Sequence, residues 1–168
     1  IGTGSVDETL FELTDMFISF TNGSDGSIRN ITFTGSLNNP YAVYASASSF
    51  DPQVLTLDNC KFLDLQGKSV RVNEYNTANI SNCVFGGNTS PNYSYGSSVT
   101  MENYTEVNLS DCLFYDNQDV DNNSNHYGTI YANSTAYTLN IDRCTFSDNG
   151  GEGSVAIYDY HTNTPKYI

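Results

Sequence analysis

The sequence predicts an all-β fold, a parallel β-helix (solenoid) of about five to six coils, built as a single domain over residues 1–168. Three observations point to it: the composition, a short motif that recurs along the chain, and a block of alternating residues after each copy. Asn, Ser, Thr, Tyr and Gly are common, whereas Leu, Lys, Arg and Ala are scarce, a composition that favours strands and turns over helices. Aromatic residues make up 13% of the chain, which is typical of a folded domain.

The recurring motif reads aliphatic, two polar residues, Cys, any residue, Phe, two residues and then usually Asn. Its four clear copies are LTLDNCKFLDL (55–65), ANISNCVFGGN (78–88), VNLSDCLFYDN (107–117) and LNIDRCTFSDN (139–149). GSIRNITFTGS (26–36) is a fifth copy with Ile31 in the cysteine column, and residues 9–20 hold a candidate sixth with Phe11 in the Phe column. Repeats of about 20–50 residues made of short strands are typical of solenoids.

Equivalent side chains of successive copies are expected to form columns, because each coil of a β-helix lies about 4.8 Å from the previous one. Ile80 should lie on Leu57 and Cys83 on Cys60. No single copy could bury its own apolar face, so the core depends on stacking. The predicted Phe column consists of Phe33, Phe62, Phe85, Phe114 and Phe146.

Two corners are predicted within each copy. Leu57 and Cys60 are three residues apart although both are expected to face inward, so the alternation must slip and the chain must bend at Asp58–Asn59. The Asn or Gly that follows Phe marks a second corner, because both residues tolerate left-handed backbone angles.

A second block follows each copy and alternates with period two, as a strand does. The five blocks are YAVYA (41–45), KSVRV (68–72), SSVTM (97–101), GTIYA (128–132) and GSVAI (153–157). The unequal spacing of the copies falls mostly between Phe and this block. The loops at residues 86–96 and 115–128 are therefore expected to bulge outward.

The four cysteines, Cys60, Cys83, Cys112 and Cys144, share one column of the motif. Their position as small apolar side chains in a core column favours four free, buried thiols. Two disulfides are the alternative, since an even number of cysteines permits them in an oxidising compartment and stacked positions lie within disulfide reach. In-register parallel neighbours, however, do not present ideal angles for a disulfide.

The charge balance excludes several partners. Asp plus Glu is 19 and Lys plus Arg is 6, giving a formal net charge of −13. Nucleic acids and anionic membranes are disfavoured, because phosphate binding needs clustered Lys or Arg. No run approaches the roughly 20 apolar residues of a membrane span, so membrane insertion is not expected. The chain starts at Ile1 without a signal peptide, which indicates a processed product or a segment of a longer or stacked assembly.

The sequence contains nine N-x-S/T sequons, about twice the number that chance pairing of its residues gives. Asn79 and Asn108 occupy one outward position in successive copies, and Asn88, Asn92 and Asn122 are expected in corners or outward loops, where a glycan fits. The alternative is that Asn and Ser are simply abundant at turns. The candidate glycosylation sites are Asn22, Asn30, Asn79, Asn88, Asn92, Asn103, Asn108, Asn122 and Asn133.

The columns resemble the repeat of the chlamydial polymorphic outer-membrane proteins (PMP), which is defined by F-x-x-N and G-G-[AVIL]-[ILVY]. F-x-x-N stands here as FGGN (85–88), FYDN (114–117) and FSDN (146–149), whereas FLDL (62–65) and FTGS (33–36) depart from it and the glycine motif is seen only loosely, in GTIYA and GSVAI. The resemblance covers roughly residues 26–160. It implies a right-handed β-helical stalk or passenger of a secreted or surface-attached, adhesin-like protein, and it carries over no catalytic residue.

No catalytic, cofactor-binding or metal-binding residue is predicted. The densest acidic group, Asp116, Asp119 and Asp121, is interpreted as a solvated loop rather than a Ca²⁺ site, because its spacing lacks a known calcium-loop frame. His126 and His161 are isolated in polar segments and are expected on the surface. No cofactor is therefore expected, apart from N-linked glycans.

The function predicted is that of a non-catalytic, extracellular, glycosylated β-helix at the cell surface, serving as a structural stalk, an adhesin module or a filament subunit. The repeats show no cap in the sequence, so adjoining coils or copies of the chain are expected to stack end to end, with host or environmental glycans as further partners. The alternative is a polysaccharide-binding or polysaccharide-degrading β-helix of the pectate-lyase-like type, in which outward tyrosines such as Tyr93, Tyr95 and Tyr127 stack on sugars.

Overall fold

A computed structural model describes residues 9–14, 17–21, 23, 25–48, 51–90, 98–119, 129–133, 137–150, 157–159 and 164–166. The strands of these residues form three sheets, and the chain visits the three sheets in turn along each coil. Most neighbours in a sheet belong to successive coils and pair in parallel. The predicted all-β parallel solenoid is therefore confirmed.

The first sheet is narrow, with six strands of three residues each, and we call it the Phe sheet because each strand carries a phenylalanine at its centre. Its strands are β1 (Leu10–Glu12), β4 (Thr32–Thr34), β7 (Lys61–Leu63), β10 (Val84–Gly86), β14 (Leu113–Tyr115) and β18 (Thr145–Ser147). Phe85 pairs with Phe62 on one side and with Phe114 on the other. Phe11 pairs with Phe33, so the candidate sixth copy belongs to the same column.

The second sheet has five strands and precedes the Phe sheet in each coil; we call it the Asn sheet, after the asparagines on its outer face. Its strands are β3 (Gly26–Arg29), β6 (Val54–Asp58), β9 (Thr77–Ser81), β13 (Glu106–Ser110) and β17 (Thr138–Asp142). Leu57 pairs with Ile80, and Ile80 with Leu109, as the alignment of the motif predicts. Leu57, Ile80 and Leu109 are buried.

The third sheet, which we call the wide sheet, contains the second blocks and nine strands. They are β2 (Ile18–Thr21), β5 (Ser36–Ser46), β8 (Gln66–Asn73), β11 (Thr89–Ser90), β12 (Val99–Glu102), β15 (Gln118–Asp119), β16 (Ile130–Asn133), β19 (Ile157–Asp159) and β20 (Thr164–Lys166). Val43, Val70, Val99 and Ile130 follow one another in register across it. Together with the Phe and Asn sheets, it encloses one continuous apolar core.

The predicted bend at Asp58–Asn59 is present in five successive coils. At this bend, one residue of each coil has a left-handed backbone, and most of these residues are Asn or Asp, which tolerate this conformation. The residues are Asn30, Asn59, Asn82, Asp111 and Arg143, with φ between 50° and 56°. Arg143 is the exception to this rule. Its guanidinium donates two hydrogen bonds to the Asp111 carboxylate, from Nε to Oδ1 at 2.7 Å and from Nη2 to Oδ2 at 2.8 Å.

The second predicted corner exists, but its left-handed residue is the second after Phe and not the third. Gly35, Asp64, Gly87, Asp116 and Asp148 have positive φ there. The Asn at the third position, as in Asn88 and Asn117, has no positive φ and its side chain is buried. That Asn lies in the corner as predicted, between β10 and β11 for Asn88, but the expectation that it takes the left-handed conformation is wrong.

The strict alternation expected in the second block is broken in the structure. Ser69 and Val70 are adjacent and both fully buried, whereas Lys68 and Arg71 both lie over the ring of Tyr41. Two consecutive inward residues require a local bend of the strand. The last block also departs from the alignment, because Ile157 and not Val155 pairs with Ile130.

The wide sheet ends in a hairpin, since β20 runs antiparallel to β19 and covers its edge. Pro165 lies opposite Tyr158 in this pair. Proline has no N–H to offer to a further strand, so it is typical of a sheet edge. The expectation that the repeats carry no cap is thus wrong for this sheet.

Candidate functional site

Four arrangements of polar or reactive side chains stand out on this scaffold. Two lie in the interior, the thiol column and a column of buried asparagines. Two lie outside, a cluster around Arg71 on the wide sheet and a groove lined by tyrosines beside the Asn sheet. Each is built from residues that successive coils bring to the same position.

The thiol column follows the first corner. Cys60, Cys83 and Cys112 are buried, Cys144 is half-buried, and all four are free thiols. Each thiol lies near backbone carbonyl oxygens, for example Cys83 Sγ at 3.1 Å from the Ser81 oxygen. Hydrogen bonding with Cys112 and Cys60, together with burial, raises the pKa of Cys83, and burial raises that of Cys144. The same hydrogen bonds with Cys83 lower the pKa of Cys60 and of Cys112. Because three of the four thiols are buried away from reagents, this column suits packing rather than nucleophilic chemistry.

The asparagine of F-x-x-N forms a buried amide column. Asn117 Nδ2 donates to the Phe85 carbonyl oxygen at 2.9 Å and to Asn149 Oδ1 at 2.8 Å. Asn88 repeats the pattern one coil earlier, donating to the Phe62 oxygen at 3.0 Å and to Asn117 Oδ1 at 2.9 Å. These bonds satisfy polar groups that would otherwise be costly to bury.

Asn88 is therefore wrong as a glycosylation candidate. Its side chain is fully buried, and both Nδ2 hydrogens are used, toward the Phe62 oxygen and Asn117 Oδ1. An N-linked sugar replaces one of these hydrogens and needs open space beyond the nitrogen. Asn88 is explained by its role in the buried amide column, and the sequon at this position is a by-product of that role.

Asn79 and Asn108 lie on the outer face of the Asn sheet, in register with each other and with Asn140. Asn108 Nδ2 donates to Asn79 Oδ1 at 3.0 Å, and Asn140 Nδ2 donates to Asn108 Oδ1 at 2.7 Å. Asn79 enters this outer column as an acceptor. Its Oδ1 is occupied, and the residue as a whole is exposed.

The remaining sequons fall in different places. Asn30 lies at the first corner. Asn103 is exposed at the third corner, where the wide sheet gives way to the Asn sheet, and it donates to Asn73 Oδ1 at 3.1 Å. Asn133 lies in β16, with its side chain outside the description. Asn22, Asn92 and Asn122 lie outside the described residues, as do Tyr93, Tyr95, Tyr127, His126, His161 and Asp121.

The cluster on the wide sheet centres on Arg71. Its Nε lies 3.2 Å from Glu102 Oε2, it donates to the Tyr41 hydroxyl, and its guanidinium carbon lies 4.9 Å from the centre of the Tyr41 ring. The Arg71 and Glu102 side chains are only 23% and 12% exposed. Burial would lower the pKa of Arg71, but the hydrogen bond and charge of Glu102 outweigh it and raise the value. This cluster pairs its own charges and joins three coils.

The tyrosine groove (residues 75–77, 104–106, 137 and 138) is a cavity of about 360 Å³ at the third corner, where the wide sheet gives way to the Asn sheet. Tyr75 and Tyr104 stack there with ring centroids 5.2 Å apart and planes 4° from parallel. Both stand on left-handed backbone, with φ of 54° and 60°. The side chains of Tyr75 and Tyr104 are 40% and 55% exposed.

Sequence reasoning missed this groove, although a signal was present. Tyr75 and Tyr104 precede Cys83 and Cys112 by the same number of residues, so the alignment of the motif already places them in one column. The tyrosines singled out instead lie in the long loops. Column membership is thus a better guide than loop position to which aromatic residues the solenoid brings together.

The described ranges also bear on metal binding and on membrane crossing. There, no three His, Cys, Asp or Glu side chains come together in a way that could hold a metal ion. Asp116 lies at the second corner and Asp119 in β15. No helix among the described residues has the length and apolar character needed to cross a membrane.

Comparison with known proteins gives one match. A family model described as a right-handed β-helix region matches residues 17–166. No curated protein and no solved structure matches the chain. The family model spans almost all of the strands described above, from the β2 coil to the final hairpin.

Proposed function

Because the chain belongs to the right-handed β-helix family, we propose that it is a non-catalytic, extracellular, glycosylated β-helix that serves as a structural stalk, an adhesin module or a subunit of an end-to-end assembly. One observation carries this proposal. The rings of Phe33, Phe62, Phe85, Phe114 and Phe146 stack in sequence with centroids 4.6–4.9 Å apart and planes within 13° of parallel. Such a column makes the solenoid a stiff rod whose interior is filled by side chains that stack from coil to coil.

The outside of the rod supports a surface role. Its net charge of −13 favours solubility, and four described sequons lie at corners and on the outer face, at Asn30, Asn79, Asn103 and Asn108. The F-x-x-N resemblance to chlamydial PMP repeats supports an adhesin-like setting, because its asparagines form the buried amide column. We assign the protein to the extracellular space or the cell surface on these grounds.

The two ends of the rod differ, and this bears on its partners. At the β1 end, Leu10 and Phe11 are 64% and 39% exposed, and among the described strands β1 pairs with β4 alone. Exposed apolar strand edges invite further strands. At the other end, β20 pairs with the edge of β19 in the wide sheet. We propose that adjoining coils or copies of the chain stack on the β1 end.

The test combines imaging with mass measurement on protein secreted from eukaryotic cells. Electron microscopy should show short rods or rods joined end to end, and the intact mass should fall on enzymatic deglycosylation. Glycopeptide mapping should find Asn88 unmodified. Compact particles without any glycan would contradict the proposal.

A second candidate, a polysaccharide-binding or polysaccharide-degrading β-helix of the pectate-lyase-like type, is favoured by the tyrosine groove. The groove combines aromatic rings with threonine hydroxyls and a carboxylate, which is the composition that carbohydrates need. Release of reducing ends from a polysaccharide panel would support a degrading enzyme. Binding without cleavage is the outcome expected for an adhesin module.

A further inference from the structure

We propose that the tyrosine groove binds a short neutral saccharide, with the rings of Tyr75 and Tyr104 against pyranose C–H groups and with Glu106 and the groove threonines as hydrogen-bond partners. The inference rests on the adhesin-like function proposed above and names the ligand class and the site. It is carried by the shape of the groove, its exposed aromatic surface, its polar groups and its charge.

The shape of the groove suits a chain-like ligand. Its lining residues come from three successive coils, at positions 75–77, 104–106 and 137–138. The register places Thr77, Glu106 and Thr138 directly above one another. Strand spacing of about 4.8 Å makes the groove roughly 10 Å long, running along the axis of the solenoid. This length and the volume of about 360 Å³ match a short oligosaccharide rather than a single small ion.

The groove exposes the aromatic surface of two stacked tyrosines. Tyr75 and Tyr104 stack on each other and are still 40% and 55% exposed, so the pair presents aromatic surface to the groove. Both backbones are held in a left-handed conformation that tyrosine adopts at a cost. The same backbone conformation in two successive coils places the two rings side by side at the corner.

Polar groups of the right kind line the same groove. Glu106 Oε1 accepts a hydrogen bond from Asn108 Nδ2 at 3.0 Å, which fixes the carboxylate at the edge of the groove. Thr77 and Thr138 lie beside Glu106 on the two neighbouring strands, so hydroxyl groups flank the carboxylate. A sugar hydroxyl both donates to a carboxylate and exchanges hydrogen bonds with threonine hydroxyls.

The charge of the groove selects against acidic sugars. Its eight lining residues include Glu106 and no Lys or Arg, on a chain of net charge −13. A uronate would meet a like charge without a cation to pair with it. A neutral pyranose needs only hydroxyl hydrogen bonds and an aromatic face, and both are present.

The experiment measures binding of cellotriose, maltotriose, N,N′-diacetylchitobiose and trigalacturonate to the whole chain by calorimetry and ligand-observed NMR. At least one neutral probe should bind, and trigalacturonate should bind more weakly than that probe. Tyr104→Ala should weaken binding of the neutral probe about tenfold, because the aromatic contact is lost. Tyr115→Ala, the same change on the outer face of the Phe sheet, where Tyr115 packs over Gly86, should leave affinity unchanged.

Glu106→Gln provides a second variant of nearly equal shape. This variant should reduce the difference in affinity between trigalacturonate and the neutral probe, because the negative charge that repels the uronate is gone. Circular dichroism and thermal melts establish that each variant folds. Failure of all neutral probes to bind, or a Tyr104→Ala protein with wild-type affinity, overturns the inference. Either result leaves the rod shape and glycosylation of the proposed function standing, since those are measured separately.

Discussion

Phe62 and Phe85 stack with their ring centroids 4.9 Å apart and their planes 3° from parallel. This separation is the spacing of two parallel strands, so the backbone register of β7 and β10 sets the ring geometry. Each interior ring thus contacts a ring above and a ring below. The fold is therefore stabilised most where a ring has both neighbours, and least at the β1 end, where Phe11 meets Phe33 edge-on at 61°.

The Phe column leads to the first prediction. Phe85→Ala should lower the free energy of unfolding by about 3–5 kcal/mol, because it removes a fully buried ring and leaves a cavity between two others. Phe11→Ala is the matched control, since Phe11 is 39% exposed and has one ring neighbour, and its cost should be clearly smaller. Urea unfolding followed by circular dichroism measures both. Equal costs would argue against an interior column as the source of stability.

The buried amide column leads to the second prediction. Asn117→Ala should destabilise the fold by about 3 kcal/mol, because it removes bonds to the Phe85 oxygen and to Asn149 and leaves Asn88 without its acceptor. Asn140→Ala removes an amide from the exposed outer column and should change stability by less than about 0.5 kcal/mol. The comparison is made by thermal or urea unfolding. A small effect at Asn117 would mean that its hydrogen bonds are replaced by water.

The thiol column leads to the third prediction. Native protein should react slowly with a maleimide at Cys60, Cys83 and Cys112, because these thiols are buried, and soonest at the half-buried Cys144. Protein unfolded in guanidinium without reductant should react at all four cysteines. Peptide mapping of the labelled protein assigns each site. Fewer than four reactive thiols in the unfolded chain would show that disulfides form.

The sequence predicted the parts of the fold that one repeating column determines. Phe and the aliphatic position recur in all five aligned copies, and Cys recurs in four of them, so their register follows from alignment alone, as Phe85 on Phe62 and Ile80 on Leu57 show. Asn88 shows why the rest did not follow. An asparagine at a turn reads as exposed, and only the three-dimensional position of the Phe62 carbonyl reveals that its amide points inward.

The candidate site was less predictable than the fold. Arg71, Tyr41 and Glu102 come from three coils and meet because the second block bends at Ser69 and Val70, a bend that a period-two pattern conceals. The hairpin of β20 on β19 likewise depends on a change of direction that no motif encodes. Contacts between side chains of different columns require the bends, and the bends are not part of the repeat.

Asp58 leads to a prediction about pH. Hydrogen bonds from Asn82 Nδ2 at 2.9 Å and Ser81 Oγ at 3.0 Å lower the pKa of Asp58 below its ordinary value. A carboxyl whose pKa is lowered by folding adds stability above its unfolded pKa of about 4, and this contribution is lost as the pH falls toward the folded pKa. Asp58→Asn should therefore be less stable than wild type at pH 7.

The difference between Asp58→Asn and wild type should shrink as the pH falls below about 4, because the wild-type carboxyl then becomes protonated as well. Urea midpoints measured from pH 3 to pH 7 give the comparison. Asp116→Asn is a suitable control, since Asp116 is an exposed aspartate at the second corner. A difference that stays constant across the range would assign the effect of Asp58 to shape rather than to charge.

The outer column of the Asn sheet leads to the last prediction, which concerns the proposed glycans. Asn79 and Asn108 stand on neighbouring strands, about 4.8 Å apart, so two glycans would crowd each other. Asn108 Nδ2 already donates to Asn79 Oδ1 and Glu106 Oε1, both at 3.0 Å, whereas Asn79 enters the pair as the acceptor. A glycan on Asn79 keeps the Asn108–Asn79 bond, and one on Asn108 costs a donor hydrogen. Folded, secreted protein should therefore carry one glycan of the two, at Asn79.

Glycopeptide mass spectrometry of the secreted protein measures the occupancy of both sites. Asn79→Gln should raise the occupancy of Asn108, because the crowding is relieved, while Asn108→Gln should leave Asn79 modified. Occupancy of Asn103, which lies at another corner of the coil, serves as the internal reference because neither substitution touches it. Molecules that carry both glycans and melt at the same temperature as singly modified ones would show that the outer face has more room than strand spacing allows.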